Sequence, residues 1–285
     1  MNRKVQRIKE LTKQLNQYRD SYYNDSLSEI SDQEYDNLFD ELKELEEETN
    51  IVMANSPTQT VGYGVKSKLE KVKHSHPMLS LDKTKSTDDL KKFAAEKDCL
   101  LMCKMDGLTV LLTYENGELI QAETRGNGEE GEIITHNAKV FENIPLHIDY
   151  PGYLEIEGEA VITYDDFEKI NSKLPEDEKY KNPRNLVSGS VRQLDSSVAA
   201  QRHIKFVAWK VPNIEDKIKS DNSFLFRLNF VRDLGFEIAP FYTYAYCSSD
   251  KENLHNMIIS LQNKSKQLDF PIDGLVMAYD DVAFG

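Results

Sequence analysis

Cysteine is scarce in this chain: Cys99, Cys103 and Cys247 are the only three among 285 residues. An odd number without paired metal-ligand spacing excludes a disulfide framework and a four-cysteine zinc site. Long apolar runs are missing as well. No stretch approaches the ~20 consecutive apolar residues of a membrane span, and the opening MNRKVQRIKE has no apolar signal-peptide core. A cytoplasmic protein with no membrane partner is therefore expected. Positive charge is in deficit, with 35 lysines and arginines against 49 aspartates and glutamates and a formal net charge of −14. Such a chain repels phosphate backbones unless basic residues cluster locally, so it is not expected to grip DNA unaided. What is present is an ordinary globular composition, 39% hydrophobic and 29% charged, which excludes a collagen-like, fibrous or wholly disordered chain. The length allows one or two domains.

Val5, Ile8, Leu11, Leu15, Tyr18 and Tyr22 recur at helical steps with charged residues between them and predict an amphipathic helix. Ser31 followed by Glu34 is a capping-box pattern that opens a second helix carrying Tyr35, Leu38, Leu42 and Leu45. The two make a helical hairpin too small for the main core. Residues 1–68 are thus expected as a small helical domain ending in the linker SPTQTVGYGVKSK. From Cys99 the pattern changes to short apolar runs punctuated by turns. Residues 100–114 and 118–125 flank Asn116-Gly117, the pair that tolerates the positive φ values of a two-residue hairpin turn. Further strands are expected at 153–163, 203–211 and 274–279, and helices at 86–97, 164–173, 223–234 and 251–268. Hairpins interspersed with helices predict an α+β domain with antiparallel sheets over 69–285.

Lys104 is a cation inside the apolar run CLLMCKMDG, where full burial of its charge is costly, so either it reaches solvent or its pKa moves. Taken alone it reads as a gatekeeper on an edge strand. The sharper reading is a nucleophilic amine, with Asp106 on the same strand face and Gly107 permitting a turn or a close approach. Glu155, Glu157 and Glu159 alternate with Leu154, Ile156 and Gly158, the default pattern of a solvated strand face. Arg184 and Arg192 are surface charges or, beside a glycine-serine turn, an anion-facing loop at NPRN. Asp32, Tyr35 and Asp36 share one helix face. They either complement the helix dipole or gather acids and tyrosines for ribose hydroxyls and a cationic ring. Gly126, Gly128 and Gly131 spell G-x-G-x-x-G, but no parallel βαβ pattern surrounds them, so a dinucleotide fold is rejected. His74 and His76 lack convergent partners and read as ordinary polar residues; no metal-ligand set is expected.

KMDG at 104–107 looks like the K-x-D-G nucleotidyltransferase motif. It is accompanied, in order, by SPTQTVG (56–62), HPMLSLD (76–82), YENG with TRGNGEEGE (114–132), NPRN with GSVRQLD (182–195) and IDGLV (272–276). Together these resemble the N-terminal half of bacterial NAD-dependent DNA ligases, along the whole chain. The resemblance implies a DNA ligase/capping-enzyme-like nucleotidyltransferase fold behind a helical NAD-recognition domain. It implies that Lys104 becomes adenylated, with Asp106 as its partner carboxylate. Arg125 and Glu159 match residues at the adenosine ribose, Ser80 and Leu81 a segment approaching the adenosine, and Arg184 and Arg192 the phosphate side. Asp273 and Gly274 match the D-G of a later motif. Tyr22, Tyr23, Asp32, Tyr35 and Asp36 match the segment that recognises the nicotinamide mononucleotide half of NAD. NAD as adenylyl donor, Mg2+ and nicked duplex DNA are the implied cofactors and partner, the last through the complete ligase.

Three positions depart from the family pattern. Met102 replaces a glutamate that helps read adenine, Ala278 replaces a lysine close to the phosphate, and Tyr23 stands where several relatives carry histidine. The chain also stops at Gly285, before the family's last nucleotidyltransferase lysine motif and its downstream domains, so strand sealing by this polypeptide alone is not expected. The alternative readings are an NAD-binding or assembly module without turnover, and an ATP- or GTP-using nucleotidyltransferase of the same superfamily.

Overall fold

Why the first fifty residues pair as they do follows from their apolar stripes. In the computed structural model, which describes residues 3–25, 30, 32–49, 53, 56–58, 69–79, 81–214, 222–245 and 253–285, helices α1 (Arg3–Asp25) and α2 (Asp32–Thr49) form the expected hairpin. The side chains of residues 3, 19–25, 32, 33, 36 and 47 lie outside the described set. Ile8, Leu11, Leu15 and Leu42 are fully buried, with Tyr35, Leu38, Phe39, Leu45 and Met53 packed around them. Arg7 donates two hydrogen bonds of 2.7 Å to Glu41, a bidentate pair that fixes the helix register. Ser31, the expected capping residue, lies outside the described residues.

The order then runs β1 (Lys71–Lys73), α3 (Thr87–Ala94), β2 (Cys99–Met105), β3 (Leu108–Glu115), β4 (Glu118–Thr124), β5 (Glu130–Glu132), α4 (Thr135–Ala138) and β6 (Tyr153–Val161). It continues with α5 (Tyr164–Asn171), a 3-10 turn at Glu176–Glu178, α6 (Pro183–Val191), α7 (Ser196–Ala200), β7 (Lys205–Ile214), α8 (Phe224–Asp233), β8 (Phe241–Tyr244), α9 (Asn253–Ser265) and β9 (Ile272–Tyr279). The chain divides into two compact units: Met1–Met78 with Arg125–Glu132, and Leu79–Thr124 with Ile133–Gly285. The first holds the helical hairpin and the antiparallel pair β1-β5.

The second unit is built on two antiparallel sheets, ordered β8-β2-β9 and β4-β3-β6-β7. The α+β architecture is the expected one. Asn116 and Gly117 both take positive φ, 52° and 87°, as a two-residue hairpin turn between β3 and β4 requires. Leu101, Cys103 and Met105 of β2 pack with Val161, Val207, Leu254 and Leu261, which joins the sheets to α9 in one core. On its other face Leu100 and Met102 pack against Leu228 of α8.

Two expectations need correction. The run 100–114 is not one strand: it breaks after Met105 and resumes at Leu108. NPRN is not a loop: Asn182 caps α6 by accepting from the Asn185 N–H at 2.8 Å, and Pro183 takes the first helical turn, where a missing N–H costs nothing. Among the described residues no helix is long and apolar enough to cross a membrane.

Candidate active site

β2 is the central strand of its sheet, flanked by β8 and β9, so the edge-strand reading of Lys104 does not hold. The strand alternates: its odd positions fill the core, while Lys104 points the other way near the strand end with 40% of its side chain exposed. The cation therefore reaches solvent and avoids the cost of burial. Its Nζ lies 2.5 Å from Oδ2 of Asp273 on β9. Directly across from Lys104 in the register is Gly274, and the position its Cβ would take is open space.

The register shifts between Lys104 and Met105, a local irregularity that turns the chain as the strand ends. Asp106 follows, its N–H donating to the Pro271 carbonyl at 2.9 Å. Gly107 is required by close approach: a Cβ there would sit 2.0 Å from the Ala160 carbonyl oxygen of β6. The Asp106 carboxylate accepts from Arg184 Nη1 at 3.0 Å, both side chains about a quarter exposed. The first turn of α6 thus aims its arginine at Asp106, which is the anion this segment faces.

The three glutamates of β6 are not a solvated face. Glu155, Glu157 and Glu159 are 2%, 1% and 8% exposed, because β6 lies between β3 and β7 and α6 packs against it. Each has a polar partner. Tyr153 donates to Glu155 at 2.7 Å, Lys210 stands 3.5 Å from Glu157, and the Thr109 hydroxyl donates to Glu159 Oε2 at 3.1 Å. Burial pushes the Glu159 carboxyl up to about 7; Arg184, Lys104 and the Thr109 hydrogen bond pull it down, and Asp106 adds to the rise. Lys104, Asp106, Glu159, Arg184 and Asp273 thereby form one electrostatically linked cluster, three carboxylates around two cations. Tyr164, at the start of α5, stands close enough that Asp106 and Asp269 join burial in raising its phenol pKa. Burial also raises the thiols of Cys99, to about 11, and Cys103, so neither is an activated nucleophile beside the amine.

The other expected residues are distributed elsewhere. Leu81 is 53% exposed, and Ser80 lies outside the described residues. Arg192 closes the C-terminal end of α6, about 12 Å along the axis from Arg184 at helical rise. Arg125 belongs to the unit that contains the hairpin, where its carbonyl contacts His74 Nε2 at 2.8 Å. His74 is a buried polar residue with a hydrogen-bond contact. Tyr35 packs on the hairpin core and stacks with Phe39 at 6.3 Å. Tyr22, Tyr23, Asp32 and Asp36 sit on α1 and α2, with their side chains outside the described set. The glycines of the G-x-G-x-x-G run form a turn with positive φ at Gly126 and Gly128 leading into the three-residue antiparallel β5, not a βαβ unit. Thr109 and Tyr164 escaped the sequence reading. Thr109 meets Glu159 only through the β3–β6 register, and nothing in the sequence sets Tyr164 apart.

Residues 66–285 match the family model described as the NAD-dependent DNA ligase adenylation domain, and residues 1–62 match that of the DNA ligase-like N-terminal NAD+-binding domain. The chain belongs to the NAD-dependent DNA ligase adenylation-domain family. Similar curated proteins named DNA ligase come from Lachnoclostridium phytofermentans and Ruminiclostridium cellulolyticum. The first is 46% identical over all of this chain and 43% of its own length, the second 43% identical over 99% and 42%. One from Lawsonia intracellularis is 37% identical over 97% of this chain and 42% of its own length. The chain spans about two fifths of the relatives it matches. For the adenylation domain the cluster offers an accessible primary amine, a carboxylate in contact with it, and an arginine beside a second carboxylate.

Proposed function

We propose that this chain performs the adenylation half-reaction of an NAD-dependent DNA ligase. The Lys104 amine attacks the adenylyl phosphorus of NAD, the bond from that phosphorus to the bridging oxygen breaks, and nicotinamide mononucleotide leaves with the electron pair. A lysine–AMP phosphoramidate remains; of the three ammonium protons one leaves before the attack to free the lone pair, one leaves after it, and one stays on the phosphoramidate nitrogen. The observation that carries this reading is the exposed Lys104 ammonium held 2.5 Å from Asp273 inside a cluster of carboxylates and an arginine. Asp273 is the nearest acceptor for a departing proton. Asp106 holds Arg184 for the phosphate side, and Glu159 accepts from a ribose hydroxyl. Arg125, Arg192, Ser80 and Leu81 are assigned to the rest of the adenosine and phosphate contacts by their match to the family motifs.

Residues 1–68 are assigned the nicotinamide mononucleotide half of NAD, through Tyr22, Tyr23, Asp32, Tyr35 and Asp36, and residues 69–285 the adenylyl transfer. The match to an NAD+-binding domain supports that division. Among the described residues no three or more His, Cys, Asp or Glu side chains gather to hold a metal by themselves. A bound Mg2+ would therefore take its oxygens from phosphate and water and would supply charge neutralisation on the phosphates. Transfer of AMP to the 5′-phosphate of nicked duplex DNA, in the cytoplasm, belongs to the longer proteins of this family.

The test is an intact-mass spectrum after incubation with NAD and Mg2+, run beside Lys104→Ala and with ATP and GTP as alternative donors. One AMP added to the parent alone, from NAD alone, is expected. An adduct from ATP or GTP would move the assignment to another nucleotidyltransferase. A second reading, NAD binding without turnover, draws on Met102 packed into an apolar cluster and on Ala278 opposite Leu100; NAD binding with no adduct would establish it.

A further inference from the structure

We infer that Thr109 is a positioning residue that fixes the orientation and the charge of Glu159 for the adenylyl transfer proposed above, a reading on which this inference rests. Thr109 stands on β3 directly opposite Glu159 on β6, and its Oγ1 donates to Glu159 Oε2 at 3.1 Å. A β-branched side chain is stiff at χ1, so the hydroxyl is held in place by its own backbone. The neighbour across the other ladder is Val207, whose side chain has no hydrogen-bonding group. The charged groups that act on Glu159 are Lys104 and Asp106 from the end of β2 and Arg184 from α6. Lys104 is itself held by Asp273, and Glu157, one strand period away on the same face, is paired with Lys210.

Burial drives the Glu159 carboxyl up to about 7, so near neutral pH its ionisation is finely balanced. The two cations that favour the anion are each engaged by another carboxylate. The neutral hydroxyl of Thr109 has a single role at this site: it donates to the ionised carboxylate and so favours the form able to accept from a sugar hydroxyl. It also points Oε2 in one direction, which leaves Oε1 to face a ligand.

The experiment compares Thr109→Val, which keeps shape and loses the hydroxyl, with Thr109→Ser, which keeps the hydroxyl. Two readouts are needed. One is the rate of AMP addition from NAD between pH 5.5 and 9. The other is the carbon-13 NMR titration of the Glu159 carboxyl in the full chain without NAD, assigned with Glu159→Gln. In Thr109→Val the acid limb of the rate profile and the Glu159 titration are expected to move up together by about 0.5 to 1 pH unit, and Thr109→Ser to bring both back. A structural role alone would lower the rate at every pH and leave both midpoints in place, and that result overturns the inference. So does a serine variant that behaves like valine. If the parent forms no adduct, the adenylation reading falls, while the NMR titration still decides whether Thr109 governs Glu159.

Discussion

Glu159 holds a carboxyl where its environment disfavours the charge, and the size of that penalty is measurable as stability. Its pKa rises from an ordinary 4.5 to about 7 in the folded chain, a value that already includes the help of Arg184, Lys104 and Thr109. The folded state therefore binds this proton more tightly than the unfolded state, so the Glu159 contribution to stability is fully present below about pH 4.5 and is lost as pH rises through 7. The 2.5-unit difference corresponds to about 3 kcal/mol. Glu159→Gln removes the ionisation while keeping an acceptor oxygen for Thr109, and both cations retain their own carboxylates, Asp273 and Asp106. The variant is expected to match the parent below about pH 4 and to exceed it by about 3 kcal/mol at pH 8.5, roughly 6 °C or more in Tm for a unit of this size. Denaturant unfolding followed by the fluorescence of Trp209, the single tryptophan, reports on this unit because Trp209 packs against both core clusters around β2. A stability difference that does not change between pH 5 and 8.5 would refute the reasoning, as would a variant weaker than the parent at high pH. Loss of adenylation in the more stable variant would show that the strain is kept for function.

Two further substitutions test the packing around the same strand. Met102→Glu places a carboxylate at a position 2% exposed among Leu100, Leu228 and Phe241; it is expected to cost about 1–3 kcal/mol, with partial recovery at acid pH. Parent-like unfolding at all pH values would show that the site opens to admit the charge. Gly107→Ala forces a Cβ to within 2.0 Å of the Ala160 carbonyl, an overpacking expected to cost about 1–3 kcal/mol and to slow adenylation by displacing Asp106; unchanged stability in the same denaturant assay would contradict the close approach.

The parts of this fold carried by periodicity were legible in the sequence, and those carried by distant pairing were not. The helical hairpin and the turn at Asn116-Gly117 depend on neighbours within a few residues, and both appear where the pattern put them. Glu155, Glu157 and Glu159 were misread because alternation reveals two strand faces but not what covers each. Only the position of β6 inside its sheet and the packing of α6 make the acidic face an interior one. The same limit hid Thr109, fifty residues from Glu159 in sequence and opposite it in register. NPRN was misread for a different reason. Its asparagine and proline are turn formers and equally good helix starters, and the helix that follows, LVSGSV, has a small-residue pattern without a clear apolar stripe. The motif residues gathered because the K-x-D-G segment straddles a strand end. The break after Met105, which the apolar run 100–114 does not show, is what lets Asp106 turn toward Arg184 while Lys104 faces Asp273.

The charge count of the cluster bears on how an anionic nucleotide enters it. Asp106, Glu159 and Asp273 stand against Lys104 and Arg184, so with Glu159 ionised the site is net negative, in a chain that is itself at −14. Within these five groups both cations are already paired, so a pyrophosphate finds neither of them idle. It gains only by exchanging partners, taking Arg184 from Asp106 and Lys104 from Asp273, or by bringing its own counter-charge. Both ion pairs are 24–40% exposed, so each is screened by solvent and weak enough to exchange. Protonation of Glu159 removes one of the three negative charges and brings the cluster to balance. On the adenylation reading proposed above, a protonated Glu159 favours phosphate entry and an ionised one favours the ribose contact, so the two pull its proton in opposite directions. A carboxyl poised at about 7 is suited to serve both within a small range of pH.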